Sequence, residues 1–302
     1  MLELDSDKHT LQSLIGKPDA IQLQNVHYKL LNDPKFQIRE AGKAIVFDYK
    51  IEKANRSRDW SNHNTVHNGA ILIRQKGAKI HITSQFTTKE VKEYNDRLVK
   101  EIEKKFKASQ HLRKDNPILR ITSGDFSNLE RIKFLISFTD GSSDGLLKFE
   151  KIPYVSFGPD RSKQLPEEMK WMQDRVHALM IRGEKKTSLH DLEFISKIEY
   201  QNFVILESVD ANFVMEHKGR KLYCSLDFGF HKYLKSLDAS TEFEVHITNL
   251  SVYDHGGKKV SLSNKEQREM EFLILDKFDN IKLENYERII SEKQAGENSI
   301  VV

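Results

Sequence analysis

The chain holds a single cysteine, Cys224, among 302 residues. One thiol excludes an intramolecular disulfide and any zinc centre built mainly on thiolates, and it suits a reducing compartment. Cys224 lies beside Tyr223 and Leu226 in a strand-like run, where it reads as a small buried hydrophobe rather than a nucleophile. Long apolar runs are missing too: no window approaches the roughly eighteen uninterrupted apolar residues of a membrane span. A secretory leader is not expected, because Glu3, Asp5 and Asp7 stand where a basic start and an apolar stretch would be needed. Neither sign of charge dominates. With 48 basic and 45 acidic residues the net charge is +3, short of the basicity of a dedicated nucleic-acid domain, so global charge names no partner.

The sequence also lacks the glycine patterns that cradle phosphates, G-x-x-x-x-G-K and G-x-G-x-x-G, and the G-x-S-x-G turn that presents a catalytic serine. Ser188, Ser196 and Ser225 have no base that sequence can assign to them. Asp227-Phe228-Gly229 matches a kinase tripeptide without the glycine loop, strand lysine or catalytic loop that give it meaning. Low-complexity tracts and heptad arrays are absent.

What is present is a well-solvated globular chain: 38% of residues are hydrophobic and 31% charged, a balance that leaves enough apolar surface for a core at this length. Strand patterns fall at Lys43–Ile51 and in a hairpin of Gly69–Arg74 and Ala78–Phe86 that folds back at Lys76-Gly77. A helix is predicted from Thr88 to Lys107, with Thr87 and Glu90 as a capping box and Val91, Tyr94, Leu98, Ile102 and Phe106 as one apolar stripe. Strands are expected at Ile118–Thr122, Arg131–Phe138 and Leu146–Phe157, then a helix from Pro166 to Ile181 whose Met169, Met172, Val176, Leu179 and Met180 form a core stripe. The order then returns to a strand at Ile198–Glu207, a hairpin from Asn212 to Asp227 turning at Lys218-Gly219, and a short helix at His231–Leu237. Strands at Phe243–Tyr253 and Lys259–Leu262 and a helix from Asn264 follow.

These elements predict an α+β fold of mostly antiparallel sheets packed by helices, because tight Lys-Gly and Gly-Gly turns cannot be parallel crossovers. Two lobes are expected, residues 1–183 and 184–295, joined at Gly183–Ser188, with a frayed tail over 296–302. Aligning Gly77 with Gly219 places Ile71 on Phe213, Ile80 on Leu222 and Phe86 on Phe228. The lobes read either as divergent copies of one unit or as hairpins with similar turns.

Candidate chemistry is thin. Asn55–Gly69 crowds Arg56, Arg58, Trp60, Asn62, His63 and His67 into a polar segment, and Trp and Arg are the residues most enriched at the energetic centres of interfaces. His63 and His67 have the spacing of two metal ligands on a helix. The asparagines and Gly69 around them oppose a helix, however, and a third ligand would have to come from His27, Asp48 or His81. Asp140, Ser142, Asp144 and Gly145 follow a calcium loop, but the twelfth position is Lys151 instead of a carboxylate. Asp254-His255-Gly256-Gly257 reads as a hairpin turn. Lys100, Lys104, Lys105 and Lys107 form a basic helix end that is a possible nucleic-acid contact, diluted by Glu101 and Glu103.

The sequence therefore points to a cytoplasmic, non-enzymatic interaction protein without a cofactor. It is expected to bind and cover or scaffold a protein complex, as a homo-oligomer, through the Trp60 segment. One source of such motif-poor, Lys- and Asn-rich chains is the accessory genes of phages and mobile elements, including inhibitors of host defence complexes, and on that base rate alone, not on any residue, the protein is expected to be one of these. The alternatives are a nucleic-acid-binding protein and a metal-dependent hydrolase without a recognisable motif.

Overall fold

The computed structural model describes residues 2–3, 11, 29–31, 35–54, 64–76, 79–86, 88–108, 119–139, 147–172, 178–182 and 197–299. Its contacts divide the chain into two units, Met1–Leu119 and Arg120–Val302. Both units combine helices with antiparallel sheets, so the α+β class holds.

The first unit is a sheet of β1 (Leu2–Glu3), β2 (Lys29–Leu30), β3 (Lys35–Arg39), β4 (Ala44–Ala54), β5 (Asn64–Lys76) and β6 (Lys79–Gln85), packed by helix α1 (Lys89–Ala108). The strands run in the order β1-β6-β5-β4-β2, with β3 also on β4. The predicted helical stripe is the one the fold uses: Val91, Tyr94, Leu98, Ile102 and Phe106 are all buried against Phe47, Ile51, Ile71 and Ile73. Lys53 on β4 pairs with Glu90 in the first turn of α1, and this hydrogen bond holds the Glu90 carboxyl below its usual range.

A glycine under a tyrosine ties this sheet to its helix. Tyr49 lies directly opposite Gly69 in the β4–β5 ladder, and a Cβ on Gly69 would stand 2.2 Å from the Tyr49 ring. Lying across the glycine, the ring reaches α1, where its hydroxyl donates to Asn95 Oδ1 at 2.8 Å and sits 3.2 Å from the Val91 carbonyl. Asn95 in turn donates through Nδ2 to the Gln85 carbonyl at the end of β6. Sheet, helix and the connection between them thus share one buried hydrogen-bonded corner.

The second unit is a sheet ordered β12-β11-β10-β9-β7-β8, built from β7 (Leu147–Pro159), β8 (Leu179–Arg182), β9 (Val204–His217), β10 (Arg220–Gly229), β11 (Glu244–Tyr253) and β12 (Lys259–Val260). Its helices are α2 (Asn128–Ser137), α3 (Ile198–Gln201), α4 (Tyr233–Ser236) and the long α5 (Asn264–Ser299). The inner face carries the core. Phe138 at the end of α2 stacks on Phe278 of α5 at 4.5 Å and meets Phe228 of β10 at 4.9 Å. Cys224 is buried in this core and burial pushes its thiol up to about 12, so it is the inert packing group expected.

Several elements differ from the sequence reading. Arg131–Phe138, expected as a strand, belongs to α2. The signal is the Ser127/Glu130 capping box, in which Glu130 accepts from the Ser127 amide at 2.7 Å and Ser127 Oγ accepts from the Glu130 amide at 3.3 Å. A short apolar run does not by itself separate strand from buried helix. The helix expected over Pro166–Ile181 is a 3₁₀ turn at Glu167–Met172 followed by β8. Met169 and Met172 are core residues as expected, three apart as a 3₁₀ turn requires, whereas Met180 is 76% exposed on an edge strand. Ile198–Gln201 is one helical turn, and the strand starts only at Val204.

At Ile118–Thr122, among the described residues, only the isolated bridge Thr122–Glu242 forms. The linker expected at 183–188 lies outside the described residues. Strands on its two sides, β7 and β9, pair with each other. The hairpins matched by alignment are both hairpins, but the first leads into α1 and the second into a one-turn helix and β11. The last helix continues to Ser299.

Removing the Tyr49 hydroxyl leaves Asn95 with an unmet acceptor in a buried site, so Tyr49→Phe should lower stability by about 1–2 kcal/mol. Gly69→Ala drives a methyl into the Tyr49 ring and should cost about 1–3 kcal/mol by overpacking. Chemical denaturation of the full chain measures both; a Gly69→Ala protein as stable as wild type would show that Tyr49 does not brace the sheet.

Candidate functional site

Of the residues expected to grip a partner, Arg56, Arg58, Trp60, Asn62 and His63 lie outside the described residues. His67 does not lie in a loop: it is inside β5, in register with Ile51, and its Nε2 stands 3.2 Å from Thr65 Oγ1. The β-ladder with β4 extends the strand back to Asn64, with Thr65 and His67 half-buried on it. On α1, Lys104 is bound to Glu101 at 2.6 Å and Lys107 to Glu103 at 2.6 Å. Lys100 is exposed, and the Lys105 side chain is outside the described set. Acids one turn earlier therefore compensate Lys104 and Lys107. Among the described residues no group of three or more His, Cys, Asp or Glu is arranged to hold a metal ion.

The residues with unusual chemistry are on the outer face of the second sheet. Alternation along β9 and β10 sends Val209, Ala211, Phe213, Leu222, Leu226 and Phe228 to the core, and sends Asp210, Asn212, Tyr223, Ser225 and Asp227 outward. The ladder sets Asp210 directly against Asp227, with Tyr154 beyond Asp210 and His246 beyond Asp227. Like charges in opposed positions repel. Burial, reinforced by the Asp227 charge, pushes the Asp210 carboxyl up to about 6, and its Oδ1 is buried without a hydrogen-bond partner.

His231 joins this row from the end of β10. Its Nε2 is also buried without a hydrogen bond and lies 3.9 Å from Asp227 Oδ2; its ring is 5.0 Å from that of His246. Burial holds His231 below the ordinary imidazole range, although Asp227 acts in the opposite sense. Glu244 stands 3.3 Å from His246 Nε2, and Glu207 accepts from Ser156 Oγ and the Leu234 amide. Burial thus disfavours the charged forms of both Asp210 and His231, which lie on either side of Asp227.

A cleft of about 660 Å³ opens at the other end of the same sheet, between the β9–β10 and β11–β12 hairpin tips. The first tip is a two-residue turn: His217 pairs with Arg220, and Lys218 and Gly219 both take positive φ, 49° and 72°, the left-handed pair that such hairpins need. In the second tip Asp254 Oδ1 accepts from the Gly256 and Lys258 amides, both at 2.9 Å, so the stretch expected as a hairpin turn is one. The tips lean on each other through His255, whose ring occupies the space a Cβ on Gly219 would need, 2.2 Å from Nε2.

Tyr223 and Tyr253 form the aromatic wall, edge to face at 5.4 Å. Lys221 Nζ lies over the Tyr223 ring at 5.1 Å, and its hydrogen bond to Tyr223 holds its pKa above the ordinary lysine range. Arg220 lines the cleft 3.9 Å from Glu266, which caps α5 by accepting from Ser263.

Of these two features only the aspartate row is legible in the sequence, because the cleft depends on the long-range pairing of β10 with β11. A two-residue turn at Lys218-Gly219 fixes which residues of β9 and β10 face each other, and the Asp210–Asp227 pair follows from it.

Because the folded-state pKa of Asp210 is raised, its contribution to stability is fully present below about 4 and is lost as pH rises through about 6. Asp210→Asn does not titrate and should therefore be more stable than wild type at pH 8. The gain is bounded near 3 kcal/mol by linkage and is about 1–2 kcal/mol after screening of a half-exposed group. It should shrink through pH 6 and vanish near pH 4, as read by denaturation at the three pH values; a gain independent of pH would refute the assignment. No protein-family model, no curated protein and no solved structure matches the chain.

Proposed function

We propose that this is a non-enzymatic interaction protein that covers or scaffolds a protein partner and grips it with the hairpin-tip cleft of the second unit. The observation that carries this reading is the wall of Tyr223 and Tyr253 beside Arg220, held in a concave site by two hairpins that brace one another. Tyr and Arg are the side chains whose truncation most often costs an interface its affinity, and they do so from clefts that exclude water. The volume is within the range of preformed binding clefts.

Turnover fits the arrangement poorly. The two groups of the sheet face whose charged forms burial disfavours, Asp210 and His231, are displaced from the cleft: Asp227, the ladder partner of Asp210, is six residues along β10 from Lys221, about 20 Å at strand rise. A general acid must lie within hydrogen-bond reach of the reacting group.

The Arg56, Arg58 and Trp60 segment is proposed as a second gripping element by its composition. In the same proposal the protein works in the cytoplasm, where one buried thiol suits reducing conditions, and acts as a homo-oligomer in the manner of accessory inhibitors that mask a host defence complex. No helix among the described residues is long and apolar enough to cross a membrane.

The test is recovery of partners from the native host by the tagged full chain, identified by mass spectrometry. Tyr223→Ala/Tyr253→Ala should reduce recovery of the specific partner at least about 30-fold, as expected for loss of two energetic centres, while leaving the fold intact by circular dichroism. Arg58→Ala/Trp60→Ala should reduce it as well. Undiminished capture by both variants would remove the proposal.

A further inference from the structure

We infer that the outer face of the second sheet, from the hairpin tips inward, takes a short stretch of single-stranded nucleic acid. This rests on the reading of that face as a gripping surface and goes beyond it by adding a nucleic-acid strand to what the face holds.

The inference comes from the order of residues across the strands. The row nearest the tips runs Glu216, Lys221, Tyr253, Lys259 over β9, β10, β11 and β12. The next runs Lys148, Val214, Tyr223, Ser251 over β7, β9, β10 and β11. The third runs Lys151, Asn212, Ser225, Asn249 over the same four strands. Only the fourth row, with Asp210 and Asp227, is acidic at its centre. Four lysines thus flank two aromatic rings on one side of a sheet; Glu216 opposite Lys221 and Glu150 at the β7 bulge both act on Lys221, so the cationic track is carried by Lys148, Lys151 and Lys259, with neutral amides and a hydroxyl between it and the Asp210–Asp227 row.

Each part matches a need of unpaired nucleotides. Bases without a partner strand bury their faces on aromatic side chains, and flanking cations track the phosphates; an open sheet face with tyrosines does both. Rows on one face repeat every second residue, roughly 7 Å, a spacing comparable to that of nucleotides in an extended strand. Lys221 over the Tyr223 ring marks a ring face on which a cation now rests; a base that takes this face releases the ammonium to an adjacent phosphate.

Asn212, Ser225 and Asn249 offer donors and acceptors to base edges, with Ser225 Oγ already donating to Asn212 Oδ1 at 2.9 Å. The Asp210–Asp227 row repels phosphate and ends the path, so the site spans about three nucleotides across three rows. A duplex hides its base faces and has no use for the tyrosines. Among the described residues Lys148, Lys151 and Lys259 are held by no ion pair, in contrast to Lys104 and Lys107 on α1.

The experiment is fluorescence anisotropy of the full chain with a labelled eight-residue oligothymidine strand, and with a duplex of the same length, over a range of salt. The single strand should bind more tightly than the duplex, with a salt slope of about two to three phosphates at roughly 0.7 each. Lys148→Ala/Lys259→Ala should reduce the slope by about 1.4. Tyr223→Ala should weaken binding at least about fivefold with the slope unchanged. Circular dichroism and melting of every variant keep misfolding from passing as lost contact.

Equal or tighter duplex binding overturns the inference, and so does a slope that responds to Lys104→Ala/Lys107→Ala instead. Absence of oligonucleotide binding at low salt also overturns it; if tyrosine substitution still abolishes protein capture, the interaction-protein reading survives alone. Loss of neither removes both.

Discussion

The second unit depends on the two-residue turn at Lys218-Gly219. Positive φ at both positions matches the twist of the flanking strands and closes the hairpin on the His217–Arg220 pair, and from that pair every later partner along β9 and β10 is determined. A slip of one residue would exchange the two faces of a strand, sending Asp210 and Asn212 toward Phe138 and Phe278 and turning Phe213 outward. The cost of burying those polar groups protects the register from one side, and the turn protects it from the other. His255 over Gly219 then ties the neighbouring hairpin to the same point, so the cleft, the tyrosine wall and the lysine rows are consequences of one local geometry.

That geometry also explains why the outer face carries charge of two kinds at two ends. The tips are exposed, and lysines there keep their ammonium groups in water while their stems cover the sheet. Toward the other end the chain turns back through Phe230 and α4, and Asp210 and His231 become buried enough for the charged form to be disfavoured. Opposed aspartates in a sheet are a local conflict of the sort a stable fold avoids unless something else uses it. In the binding scheme proposed above, their use is to end the path of a polyanion. A neutral row in their place would leave the face uniformly attractive and its ligand without a fixed position.

Legibility from the sequence followed the strength of the periodic signal. The α1 stripe recurs over five apolar positions with charge on the other side, and each of the five is buried; the Lys218-Gly219 hairpin has a turn that glycine makes plain. Arg131–Phe138 sets Arg131, Lys133 and Ser137 among apolar residues in a stretch too short to separate the two periods, and its type is fixed by the Ser127/Glu130 cap preceding it. Glu167–Met172 has too few residues to separate three per turn from 3.6. The cleft was harder to see. Its residues come from positions 216–223 and 253–257, and nothing in either stretch announces the other. What joins them is the pairing of β10 with β11, a long-range fact that local pattern does not contain. The attention given to Arg58 and Trp60 came from residue type alone, which identifies side chains suited to an interface without saying where they stand.

The two units solve one problem with the same device. A sheet with a polar face needs contacts that hold it in shape without making that face apolar, and in each unit an aromatic or imidazole ring laid on a glycine does so. In the first unit Tyr49 crosses Gly69 and passes on to α1 through Asn95, making a weak point of the ladder into a hydrogen-bonded link between sheet and helix. In the second, His255 on Gly219 joins two tips that would otherwise move separately. Glycine is required at both sites for space, and at Gly219 for backbone conformation also. A rigid tip matters because binding loses affinity to every side chain and loop that must be ordered first. With the hairpins braced on each other, Tyr223 and Tyr253 meet a partner with less of the site left to order, which favours binding in a cleft built from two hairpin tips.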